Sequence, residues 1–459
     1  MFEHALLLVK HKIQNKREQH KVFEKPMYLP LLFVNSGMEI PTNRTIMPHR
    51  YHGSLVSDTS IRPQRAESNY IGNTLNSSST PKFQLNFFGL GSNQVHASLF
   101  ADDLTIQNQV LLQISAQQKK LIDANDIFSL CKFETRRFTG NNKINCAVPC
   151  YGGKKLLYGT DSGVWVSTVR SISATSNEKI CSDPTMVISK TYVTQIEVIV
   201  EYSKLLVLSD KSLYEFDLSC TDSLDHVKNT KLGKLLLSHV SFFKVGVCDG
   251  KLLVIGARTG SLHSICIFEP VNPFDKSNKN KNKRLEIQEI NFSSDPISIS
   301  FLKTKLCIGC AKGFEILSSQ TGTKESILDE ADPSLDFATQ RESVTPLAIH
   351  RLGRDFLLCY SEFVFLINRN GWRTNHDWGI FWEGNPQNVA IFFPYLLSFE
   401  PGFVEIRDLH TTNLLRALTG ENIRFLHSNE HEAMFACEEN GYDIIISIDF
   451  LNLKPKSPT

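Results

Sequence analysis

The chain has 459 residues, 41% of them hydrophobic and 10% aromatic, with phenylalanine the commonest ring. That composition supports a large core and excludes a disordered chain. The formal net charge of +1 argues against nucleic-acid binding, and no apolar run approaches the roughly 18 residues that cross a bilayer.

The first 125 residues read as strands, an insert, more strands and a helix. "FEHALLLVKHKI" and "HKVFEKPMYLPLLFV" carry the apolar, β-branched and aromatic content of strands around a charged turn. Residues 36–80 turn to Ser, Asn, Thr, Pro and Arg without a period, so they are expected to be disordered. "KFQLNFFGL" and "QVHASLFA" are the next strands. Asp102-Asp103 is the expected N-cap of a closing helix, with Leu104, Leu111, Ile114 and Leu121 on its apolar face.

From residue 126 onward one phrase recurs: an apolar strand, a tight polar turn, and a second strand rich in aromatic or β-branched residues. It occurs at 155–167, 204–216, 251–268, 305–317, 355–367, 395–409 and 433–448. The spacing approximates the period of a four-stranded propeller blade, and a seven-bladed β-propeller is expected. Its last blade lacks a fourth strand at the C-terminus, and "DIFSLCKFETRRF" at 126–138 is the expected latch, since an open ring leaves two bare edges.

These residues carry a resemblance. "LLYGTDSGVWV", "TQIEVIVEYSKLLVLSDKSLYEFDL" and "RTNHDWGIFWEGNPQNVAIFFPYLLSFEPGFVEIRDL" resemble a citron homology (CNH) domain over 126–459. "FEHALLLVKHK" and "KPMYLPLLF" are similar to pleckstrin homology (PH) strands of fungal Rho-type guanine nucleotide exchange factors in the cell-wall-integrity pathway. The expected fold is therefore mainly β: a partial PH-like sheet with a closing helix and an insert in 1–125, then the propeller. Met1 falls inside the PH-like region, whose first strands are missing. The helix lacks the usual PH tryptophan, with Val110 or a neighbour in that place. The family places a catalytic Dbl homology domain before PH, and this chain shows none. The resemblance thus implies a non-enzymatic scaffold that binds a Rho-family GTPase, in its GTP-loaded form, or its regulators. The alternative is a membrane-tethering factor of vacuolar or endosomal traffic, which also uses CNH-like propellers.

Trp372, Trp378 and Trp382 fall in one short window. They read mainly as blade packing, with "DWGIFW" a strand that puts Trp378 and Trp382 on one face. The turn holding Arg369, Trp372 and Arg373 is the candidate partner contact, because Trp and Arg dominate interface hot spots. Lys10, Lys12, Arg17 and Lys21 on the PH-like hairpin are the candidate contact to anionic lipid, and the run at 276–284 reads as a solvated basic loop. "CIGC" gives Cys307 and Cys310 zinc-like spacing without a second ligand pair; they occupy core positions, so no metal is expected. His376-Asp377 comes with no nucleophile motif. Neither catalytic residues nor cofactor are expected. Eleven cysteines without a framework read as reduced thiols, hence a cytoplasmic protein, peripheral at the plasma membrane.

Overall fold

A computed structural model describes residues 2–14, 17–23, 25–36, 83–91, 95–171, 179–222, 233–272, 285–318, 321–341 and 343–451. Most of the expected insert at 36–80, and the whole basic run at 276–284, lie outside the described residues. The chain divides into two units, 1–89 with 94–120, and 90–93 with 121–459.

In the first unit, Ala5–Leu6 pairs with Met27–Tyr28, Val9–Gln14 with Arg17–Val22, and Leu32–Asn35 with Phe83–Gly89, which pairs on with Val95–Ala101. The helix Leu104–Ala124 starts where the acidic pair predicts: Asp103 Oδ1 accepts from the Ile106 amide at 2.8 Å. Its packed face keeps Ile114, with Leu111 and Leu121 half-buried, and departs from the expected one at its start. Leu104 is exposed, and the buried positions are Gln107 and Ile114. Gln107 donates to the Gln84 carbonyl at 2.7 Å, and Gln118 donates to the carbonyls of Leu29 and Leu32 at 2.9 and 2.8 Å. Glutamine belongs on this face because the strand region opposite it presents carbonyls that need donors.

The second unit is a succession of antiparallel sheets spanning 144–188, 193–238, 242–291, 296–326, 346–381, 388–419 and 421–450. Each repeated phrase of the sequence forms the second and third strands of one sheet. The second strands, such as Lys204–Ser209 and Asp355–Tyr360, are nearly all buried. They are apolar on both faces because each sheet packs between two others. Successive sheets share a buried cluster: Leu205 and Val207 meet Leu157 and Val148, and Leu253 and Ile255 meet Leu306 and Ile308. The first and last sheets share one too, in which Leu156 and Tyr158 meet Phe133, Met434 and Ala436.

The expected latch forms. Phe128–Thr139 pairs antiparallel with Tyr442–Phe450, supplying the outer strand of the last sheet from the other end of the sequence.

The first, innermost strands are stitched together by side chains. Asn145 Nδ2 donates to the Val193 carbonyl at 3.1 Å, and Ser298 Oγ donates to the Pro346 carbonyl at 2.9 Å. Gln195 brackets Phe243, accepting from its amide at 3.0 Å and donating to its carbonyl at 2.6 Å. In all three the partners are 48 residues apart. At the closing seam Arg424 Nε donates to the Ile144 carbonyl at 3.3 Å. Every one of these bonds joins the first half of one inner strand to the first two residues of the next. Those inner strands therefore run parallel around a common axis, and the turns that follow them gather at one end.

Candidate functional site

The turn at 368–373 follows the third strand of the fifth sheet, Phe363–Ile367. Asn368 builds it: its side-chain oxygen accepts from the amides of Asn370 and Trp372 at 2.8 and 3.1 Å. Gly371 is required by two constraints. Its φ is +82°, and a Cβ there would sit 2.4 Å from the Ile327 carbonyl oxygen. The close approach lets the Asp329 amide donate to the Gly371 carbonyl at 3.2 Å.

The three candidate residues divide by role. Trp372 is half exposed, but its indole Nε1 donates to Asp329 Oδ2 at 2.9 Å. Arg373 is a clamp. Its amide donates to Asp332 Oδ2 at 2.8 Å, its guanidinium donates to the His376 carbonyl at 3.1 Å, and the same group lies 4.8 Å from the Phe337 ring centre. Together they hold down the excursion at 327–339 between the fourth and fifth sheets. The Ser334 hydroxyl holds the Asp332 carboxyl below the usual carboxylate range, and the Arg373 amide adds to this. Arg369 is exposed on the same turn. Asp329, Asp332 and Phe337 were not singled out from the sequence, although "ADPSL" has the Asp-Pro-Ser signature of a capped turn.

The other tryptophans are anchors. The expected strand through "DWGIFW" is only Ile380–Phe381, so Trp378 and Trp382 lie outside it. The reason is that their indoles serve different sheets: Trp382 Nε1 donates to the Tyr360 carbonyl at 2.9 Å, and Trp378 Nε1 to the Leu409 carbonyl at 3.0 Å. The turn that follows is capped by two carboxylates. Glu405 Oε1 accepts from the amides of Glu383 and Gly384 at 2.8 and 3.2 Å, and Glu400 Oε2 accepts from Asn385 at 2.7 Å. Arg407 Nε donates to Glu405 at 2.8 Å, which neutralises the buried charge. Burial, with Glu405 nearby, pushes the Glu400 carboxyl up to about 7.

Cys307 and Cys310 face opposite sides of their strand, Cys307 toward the fifth sheet and Cys310 toward the third. Burial pushes the Cys310 thiol up to about 12, and Cys307 higher still. Among the described residues no group of three or more His, Cys, Asp or Glu side chains could hold a metal ion. His376 and Asp377 are exposed.

On the N-terminal hairpin, Lys10 and Lys21 are cross-strand partners and both are exposed. Lys10 Nζ sits 4.4 Å from the Phe23 ring centre. Lys12 and Arg17 lie on the paired strands opposite Gln19 and Gln14, but their side chains are outside the described residues. No described helix is long and apolar enough to cross a membrane.

With this geometry in view, comparison with known proteins is informative. A CNH domain family model matches residues 152–429, and a pleckstrin homology domain model matches residues 1–118. The chain is 37% identical to the RHO1 GDP-GTP exchange protein 2 of Saccharomyces cerevisiae and 35% identical to the Rho1 guanine nucleotide exchange factor 1 of Schizosaccharomyces pombe. Each alignment covers 98% of this chain and 33% of the relative, so the chain spans about a third of the length of these relatives. The solved AfRom2 CNH domain superposes with a TM-score of 0.63 at 40% identity, covering 71% of this chain and all of that one. By the family match over more than half its length, the chain belongs to the CNH domain family and carries a pleckstrin homology segment at its N-terminal end.

Proposed function

We propose that this chain is the non-catalytic, partner-binding region of a Rho guanine nucleotide exchange factor, divided near residue 125 into a PH-like part and a seven-bladed propeller. The propeller binds a Rho-family GTPase directly and favours its GTP-loaded form. The observation that carries this reading is the match along 98% of the chain to two proteins named as Rho1 exchange factors. A propeller suits the role because its turns present side chains from a rigid ring at little ordering cost. A tethered contact raises the local concentration of GTPase beside an exchange module. Lys10, Lys12, Arg17 and Lys21 supply a weak contact to anionic lipid, in keeping with a cytoplasmic protein peripheral at the plasma membrane.

The test is calorimetric titration of the purified chain against GTP- and GDP-loaded Rho1. Binding to the GTP form supports the reading, and no heat with either form up to high micromolar concentration overturns it. A fluorescent-nucleotide release assay checks the non-catalytic part: the chain alone is expected to leave the release rate of a Rho GTPase unchanged, and clear acceleration would refute it.

A further inference from the structure

The helix Leu104–Ala124 has a packed side and a free one. Gln107 and Ile114 are buried, and Gln118 on the same side donates to the carbonyls of Leu29 and Leu32. The opposite side carries Thr105, Asn108, Leu112 and Ala116, all exposed, which form a shallow and mainly apolar groove with Leu104. Leu112 is 70% exposed, more than any other large apolar side chain among the described residues.

Charge sets this face apart from the rest of the surface. Residues 104–118 hold no charged side chain, whereas the solvated face of a helix ordinarily carries several. The charges stand at the two ends and are opposite in sign. Asp102 and Asp103 precede the helix, and Lys119 and Lys120 lie near its end. All four are exposed, and none forms an ion pair among the described residues.

An acidic start, a neutral apolar middle and a basic end make a helix complementary to an antiparallel copy of itself. When two such helices cross near residue 110, Leu104 faces the partner's Ala116, and Asn108 faces the partner's Leu112. The same register brings Asp102 and Asp103 within about one turn of the partner's Lys119 and Lys120, and it opposes the two helix dipoles. A parallel pair would instead set acid beside acid and base beside base.

We infer that this helix face is a self-association surface, on which two copies of the chain pair antiparallel about a two-fold axis. A two-fold contact uses the same patch on both copies, so the chemistry of the occupant is that of the face itself. The inference is independent of the GTPase reading. The groove is about 18 Å long, and one helix pair of that length buries little surface, so the dimer is weak and depends on concentration.

The experiment is sedimentation velocity of the full chain from low to high micromolar concentration, with folding monitored by thermal melts. The wild type is expected to pass from monomer to dimer. Leu112→Asp puts two like charges at the middle of the contact and is expected to weaken association at least tenfold. Lys119→Glu with Lys120→Glu acts through charge alone, on exposed side chains, and is also expected to weaken it at least tenfold. Adding Asp102→Lys to that pair, with the capping Asp103 left in place, is expected to recover part of the loss. A wild type that stays monomeric throughout overturns the inference, whatever else covers the face. So does a dimer that neither Leu112→Asp nor the double Glu variant weakens. If Asp102→Lys weakens the double Glu variant further, the antiparallel register is refuted.

Discussion

The buried Asp443 and the half-buried Arg424 form an ion pair at 2.7 Å that grips both backbone groups of Ile144, the first residue of the ring's first strand. Asp443 Oδ2 accepts from the Ile144 amide at 2.7 Å, and Arg424 donates to the Ile144 carbonyl. The pair sits where the last sheet meets the first, so closure depends on a polar clamp as well as on the latch strand. Removing Asp443 leaves the Ile144 amide without its acceptor and the half-buried Arg424 without its carboxylate. Asp443→Ala is therefore expected to destabilise the propeller by about 1–3 kcal/mol. Lys251→Ala, which breaks the exposed and solvent-screened Lys251–Glu269 pair, is expected to leave the denaturation midpoint within error. Urea denaturation of both variants checks the contrast, and equal midpoints would remove the clamp from the account.

The Arg369, Trp372 and Arg373 turn gives a second separation, between stability and binding. Arg373→Ala loses bonds from its guanidinium to backbone carbonyls and the stacking on Phe337, so it is expected to cost about 1–3 kcal/mol of stability. Trp372→Phe removes one hydrogen bond to a carboxylate, worth about 1.5 kcal/mol before solvent screening. Arg369→Ala is expected to leave the melting temperature within error and to weaken partner binding. A melting temperature lowered as much by Arg369→Ala as by Arg373→Ala would contradict this division.

The repeat of the fold was legible because its cause is local. A second strand packed between two sheets must be apolar throughout, and a tight turn must carry Gly, Asp or Asn, so each sheet leaves the same short phrase. The latch was legible from a deficit, one strand too few at the C-terminal end. What escaped the sequence were partnerships over long separations. Nothing near Arg373 announces that Asp332 and Phe337, about forty residues earlier, will make it a clamp. The helix face was misread at Leu104 for a related reason. Periodicity scores apolar residues, and it overlooks a glutamine buried because strand carbonyls face it, as Gln107 is.

The cysteines allow a chemical test. Cys181 and Cys220 are half-buried, and burial pushes both thiols up to about 11; the other nine are buried. Few thiolates exist at neutral pH, so alkylation of the native protein is expected to be slow and to begin at these two sites. Mass spectrometry after timed iodoacetamide treatment reads the order directly. Early labelling of Cys307 or Cys310 would show that their strand opens far more readily than its buried surroundings imply.

Glu400 gives the pH dependence. Burial raises its folded carboxyl to about 7, above the 4.5 of the ordinary group, so its contribution is greatest when it is protonated. That stability is fully present below pH 4.5 and is lost as pH rises through about 7. His427 works in the opposite sense: burial lowers its imidazole to about 4, so its contribution is present above about 6.5 and lost as pH falls toward 4. The two slopes overlap, and the wild-type profile alone does not separate them. Glu400→Gln does. It keeps an oxygen to accept from the Asn385 amide and removes the titration. The wild type is expected to lose up to about 2 kcal/mol relative to Glu400→Gln between pH 5 and pH 8, a value reduced for partial solvent access. Denaturation at intervals across that range measures the difference, and parallel curves would show that the carboxyl titrates at its ordinary value.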